Sequence, residues 1–127
     1  MVAWCICVLM HDYRQLRVYD MAIEVASETY RLTETLPRSE RYGLVQQMNR
    51  ASVSIASNIA EGAGRGDNRD FARFLRIARG SACELEAQAT LATRVALVDG
   101  EPVRVLREHL EKLKASITNL EKRVSPR

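Results

Sequence analysis

Arg41–Gly66, RYGLVQQMNRASVSIASNIAEGAGRG, is the stretch that decides the fold. Leu44, Met48, Ala51, Ile55 and Ile59 recur every three or four residues, which is one face of an α-helix. Ser52, Ser54, Ala56, Ser57 and Ala60 lie between them. Small side chains at successive turns let a neighbouring helix approach closely. Asn58 falls beside the apolar face, where its amide must find a partner or destabilise the fold; Glu61 is a candidate partner inside the bundle. The helix is expected to end near Glu61. Gly62, Gly64 and Gly66 then form a tight turn, because glycine tolerates positive φ.

Upstream, a first helix is expected over Tyr13 to Thr35. Leu16, Tyr19, Ile23, Ala26 and Tyr30 alternate spacings of three and four and form its inward seam. Leu36-Pro37 ends it, since the residue before proline is pushed out of the helical region. Ser39 is the expected cap of the second helix.

Downstream, Asp67 is the expected cap of a third helix running from about Asn68 to Val98, with Asp70 three residues on. Phe71, Phe74, Leu75, Ala78, Ala82 and Leu85 share one side of it. Asp99-Gly100 closes this helix, and Glu101-Pro102 opens the fourth with proline at the tolerated first position. There Leu106, Leu110, Leu113, Ile117, Leu120 and Val124 keep a heptad spacing. No strand pattern or repeat competes. Short connections favour antiparallel neighbours, so the chain reads as all-α, an up-down-up-down antiparallel four-helix bundle.

A chain of 127 residues is one domain's worth and can bury a sizeable core. The bundle is assigned to residues 12–125. Residues 1–11 are set apart as an N-terminal tail or start-site extension. Their apolar run MVAWCICVLM is about half the length that crosses a bilayer and lacks the flanks of a signal peptide. An arm packing on another subunit is the third reading of that run. No membrane partner is expected. Cys5, Cys7 and Cys83 form no paired framework, and His11 and His109 stand apart, so reduced thiols, a cytoplasmic location and no metal are expected.

The net charge of +3 permits an acidic partner without requiring one. Gly62-x-Gly64-x-Gly66 precedes a helix, yet no strand leads in and no Lys-Ser/Thr pair follows, so it is neither a P-loop nor a dinucleotide fingerprint. Arg65, Arg69, Arg73, Arg76 and Arg79 outnumber Asp67 and Asp70 by three in the same segment. Guanidinium groups grip phosphates with paired bonds, so these five are the candidate contacts to an RNA or DNA backbone. The plainer reading is a solvated face. Arg104, Arg107, Lys112, Lys114, Lys122, Arg123 and Arg127 are interspersed with Glu101, Glu108, Glu111 and Glu121, which suits an exposed helix side.

The residue sets that catalysis needs are missing. Glu84 and Glu86 point to different faces, and position 106, three before His109, is leucine where a di-iron bundle would need glutamate. An enzyme and a cofactor are therefore not expected.

Leu36-Pro37, Glu40-Arg41-Tyr42-Gly43-Leu44, Ser54–Gly62, and Phe71-Ala72-Arg73-Phe74-Leu75 with Gly80-Ser81 and Glu84-Leu85-Glu86 form a specific combination. Over about Asp12 to Leu120 the chain resembles the bacterial four-helix-bundle family called 23S ribosomal RNA intervening-sequence proteins. The resemblance implies a cytoplasmic bundle, assembly as a ring-shaped homopentamer, and no established enzymatic activity. A related branch, the accessory proteins of diversity-generating retroelements, is similar in fold, basic, and binds nucleic acid and a reverse transcriptase. Where the family pattern places proline after Ser-Ile, this chain has Ala56, which implies a straighter second helix. Two functional readings follow: a homo-oligomeric scaffold touching nucleic acid through the arginines, or a protein-interaction module that binds none.

Overall fold

The computed structural model describes Tyr13 and residues 16–125. The expected tail at residues 1–11 lies outside the described residues. Among the described residues four helices make the fold: α1 (Arg17–Thr33), α2 (Leu44–Gly64), α3 (Asn68–Arg94) and α4 (Gly100–Val124), with a short 3-10 turn at Arg38–Glu40 before α2. Sequential helices run antiparallel. Ser54 of α2 meets Ser81 of α3, while Gly62 abuts Phe71 and Phe74. Arg79 of α3 reaches Glu121 of α4, while Glu86 reaches Lys114. Thr33, at the end of α1, meets Asn49 near the start of α2. The first and last helices also touch, closing the bundle.

One apolar core fills the centre. Met48, Ile55, Ile59, Phe71, Leu75, Leu85, Leu106, Leu110, Leu113 and Ile117 are all fully buried. Each such side chain stabilises the fold by about 1.5–3 kcal/mol relative to exposure. The core-facing residues expected on α3 and α4 are all buried. So are those of α2, except Leu44, which is half-buried in its first turn.

α1 departs from expectation. Its buried side is Val18, Ala22, Val25, Thr29 and Leu32. Of the expected seam only Leu16 is buried; Ile23 is 40% and Tyr30 46% exposed. The helix carries two apolar stripes, and the one with the larger side chains faces out. The inward stripe can include threonine because the Thr29 hydroxyl donates to the Val25 carbonyl at 2.7 Å, so no polar group is left bare.

The ends also differ in detail. α2 continues through Gly62 to Gly64, and only Gly66 takes a positive φ, of 72°. Gly62 acts by smallness instead. A Cβ there would lie 2.6 Å from the Phe74 Cβ, so α2 and α3 approach too closely for any side chain. Ser39 lies in the 3-10 turn, and Gly43 precedes α2 with no side-chain cap. Asp67 does cap α3, accepting from the Arg69 amide at 3.1 Å. α3 stops at Arg94, short of Val98. The Leu97 amide donates back to the Ala92 carbonyl at 2.9 Å and the Ala96 amide to Thr93 at 3.0 Å. That pair of bonds is the Schellman arrangement, and it holds Ala96 at φ 60°. α4 begins at Gly100 with Asp99 before it, so Pro102 is its third residue.

Candidate functional site

The five expected arginines are not one surface. Arg65 and Arg73 come from opposite sides of the α2–α3 turn and flank one ring: their guanidinium carbons lie 5.0 and 4.5 Å from the Phe74 centroid. Arg65 also bridges Glu61 at 3.1 Å, and Arg73 lies 3.6 Å from Asp70. Glu61 therefore faces outward and does not pair with Asn58. The Asn58 amide instead donates to the Ser54 carbonyl at 2.8 Å and to its hydroxyl at 2.9 Å, and Ser54 meets Ser81 at 2.9 Å. Arg69 has no carboxylate within ion-pair distance among the described residues.

Arg76 and Arg79 turn toward α4. Both bind Glu121, at 3.2 and 2.5 Å, and Arg79 donates to the Thr118 hydroxyl at 3.2 Å. Burial pushes the Glu121 carboxyl up, but the bonds to Arg79 and Arg76 outweigh this and hold it below the ordinary carboxylate range. One carboxylate thus answers two of the five cations. The sequence offers no sign of it, because Glu121 lies more than forty residues away.

Three basic residues of α4, Arg104, Arg107 and Lys114, are similarly answered. Arg104 binds Glu101 and Glu108, so Glu108 pairs backward along the helix and not with Lys112. Lys114 bridges Glu86 at 2.9 Å and Glu111 at 2.6 Å; the bond from Glu111 raises its pKa, burial opposes, and the bond from Glu86 adds to the rise. His109 is not isolated: its Nδ1 lies 2.7 Å from Glu28 Oε2 across a groove between α4 and α1. Among the described residues no three His, Cys, Asp or Glu side chains gather as metal ligands. None of the helices is long and apolar enough to cross a membrane, again among the described residues.

Two outward features were not singled out in the sequence as sites. One is a shallow apolar trough along α1 and α2, lined by Tyr19, Ile23 and Ala26 on one side and Val53, Ser57 and Ala60 on the other. The misassigned α1 seam supplies half of it. The other is a cleft at the α1–α2 connection that gathers Tyr30, Arg38, Arg41 and Asn49. Arg38 and Arg41 follow Leu36-Pro37 in sequence, and that proximity to a chain reversal was the available signal.

Comparison with known proteins agrees with this architecture. A search of curated proteins finds no match. A solved structure of a protein of unknown function from the S23 ribosomal protein family of Bacteroides thetaiotaomicron has a TM-score of 0.76 and 24% identity. The alignment covers 83% of this chain and 95% of that one, and it shows a shared fold. A family model described as 23S rRNA-intervening sequence protein matches residues 14–119, from before the first helix nearly to the end of the last. Bundle, motif and match coincide over the same residues, and the chain belongs to the 23S rRNA-intervening sequence protein family.

Proposed function

We propose that this protein is a non-enzymatic scaffold that works as a homo-oligomer in the cytoplasm. The observation that carries the reading is the apolar trough on the outer side of α1 and α2. Ile23 and Val53, 40% and 43% exposed, lie along it with Tyr19 and Ala60. A second, non-equivalent apolar set stands on α3, where Ile77, Leu91 and the following Val95 are exposed. Two unlike faces suit head-to-tail contact, which makes a ring where the rotation between subunits closes and a filament where it does not. A homopentamer, as the family resemblance implies, is the ring proposed. Light scattering on the eluting protein tests it. The wild type is expected to run as a closed multimer and Ile23→Lys/Val53→Lys as a folded monomer. A monomeric wild type at high concentration would overturn the reading.

A second reading concerns nucleic acid. Arg65, Arg69 and Arg73 are exposed at one end of the bundle and suit backbone phosphates. Arg76 and Arg79 contribute less, being engaged by Glu121. A mobility-shift assay in low salt should show RNA or DNA binding that weakens when the five arginines become alanine. A protein partner retained through high salt and nuclease, with no shift, would favour an interaction module that binds no nucleic acid.

A further inference from the structure

The connection from α1 to α2 encloses an open cleft of about 330 Å³. Leu36 is buried and Pro37 directs the chain outward, so the 3-10 turn brings Arg38 and Arg41 to one wall. Tyr30 and Glu34 of α1 and Asn49 of α2 form much of the rest. Among the described residues neither Arg38 nor Arg41 has a carboxylate within ion-pair distance. This sets them apart from Arg73, Arg76 and Arg79 of α3, which are answered by acids, though not from Arg69 and Arg94 of the same helix.

The lining holds two arginines and one carboxylate residue, Glu34, so it is net positive; Glu40, between the two arginines in sequence, is not part of it. The buried Thr33 hydroxyl lies 2.9 Å from Asn49 Oδ1, which fixes the amide and leaves its nitrogen as a donor. Exposed aromatic rings accompany the charges. Tyr30, 46% exposed, lines the cleft, and Tyr42, next to Arg41, is 83% exposed. Unpaired guanidiniums suit phosphates, and open phenol rings suit the faces of unpaired bases. A duplex hides those faces, so the combination favours a single strand.

We propose that this cleft binds single-stranded nucleic acid, with Arg38 and Arg41 on backbone phosphates, Tyr30 against a base within it and Tyr42, outside the lining, against a base beyond its rim. The site goes beyond the second reading above and shares no residue with the five arginines of α2–α3 or with the apolar trough.

Fluorescence anisotropy of a short labelled oligouridine with the full-length protein in low salt tests it. The wild type should bind the single strand at least about tenfold more tightly than a duplex of equal length. Arg38→Ala/Arg41→Ala should weaken binding about tenfold or more, with unchanged helical circular dichroism. Tyr42→Ala should lose about fivefold while Tyr42→Phe stays within about twofold, because stacking needs the ring and not the hydroxyl. Arg69→Ala/Arg73→Ala should lose less than the Arg38/Arg41 pair. No binding by the wild type, equal binding of duplex, or an Arg38→Ala/Arg41→Ala protein within about threefold of wild type would overturn the proposal.

Discussion

α4 and α1 are both amphipathic, yet they use their apolar residues differently. On α4 a single stripe, Leu106 to Val124, is buried without exception, and the rest of the surface is charged. On α1 a stripe of Val18, Ala22, Val25, Thr29 and Leu32 faces the core, while Tyr19, Ile23 and Tyr30 lie outside it. A helix with one stripe declares its inward side. A helix with two has more apolar surface than its own bundle can cover, and side-chain size does not say which stripe goes in.

The sharpest break of this comparison is a pair of truncations. Leu110→Ala, in the middle of α4, should destabilise the fold by about 2–5 kcal/mol, through lost burial and the cavity left behind. Ile23→Ala on α1 should change the stability of the isolated chain by less than about 0.5 kcal/mol. Chemical denaturation of both, done at concentrations where the chain is monomeric, compares them directly. Equal losses would mean that the outer stripe belongs to the core.

The α2–α3 contact extends the inward side of the comparison. Gly62→Ala should destabilise by about 1–3 kcal/mol, since the added methyl meets the Phe74 Cβ, which no rotamer change can move. Gly64→Ala, two residues on and facing open space, is the control in the same urea titration.

Glu121 probes whether charge on an outward face matters once it is clamped. Glu121→Gln should lower stability by about 1–2 kcal/mol at neutral pH, because two hydrogen bonds to charged groups are weakened. Its carboxyl is held below its unfolded pKa, so its contribution is present above the ordinary carboxylate range and disappears as pH falls through the folded value. Thermal melts at neutral and acidic pH should therefore differ less in Glu121→Gln than in the wild type.

One further substitution is expected to give a gain. Ala96→Gly should stabilise by about 0.5–1 kcal/mol, because glycine holds a positive φ without the strain alanine bears there. A melting temperature that falls would show that the alanine methyl packs usefully.

The bundle was legible because three of its helices have one dominant apolar stripe and because Pro37, Asp67 and Asp99 punctuate the chain. The boundaries near Gly62 and Val95 were not. Glycine reads as a turn signal even where its function is to admit a phenyl ring, and nothing in Val95–Val98 announces that an alanine will adopt the left-handed turn. The arginines were visible as a cluster, but their partners were not. Whether Arg76 is free or clamped depends on Glu121, brought to it by the antiparallel packing of another helix. In sequence Arg38 and Arg41 are only two charges with Glu40 between them; that neither has a carboxylate within ion-pair distance among the described residues is visible only in the fold.

The closeness that Gly62 permits has a kinetic consequence. α2 and α3 are joined by only Arg65, Gly66 and Asp67 and share the most extensive interface of the bundle. Closing so short a connection loses little chain entropy, which favours early pairing of α2 with α3. α1 and α4, from opposite ends of the sequence, meet least extensively of the four neighbouring pairs. Local opening is expected there first, which native-state hydrogen exchange would show as weaker protection along α1 than along α2 and α3.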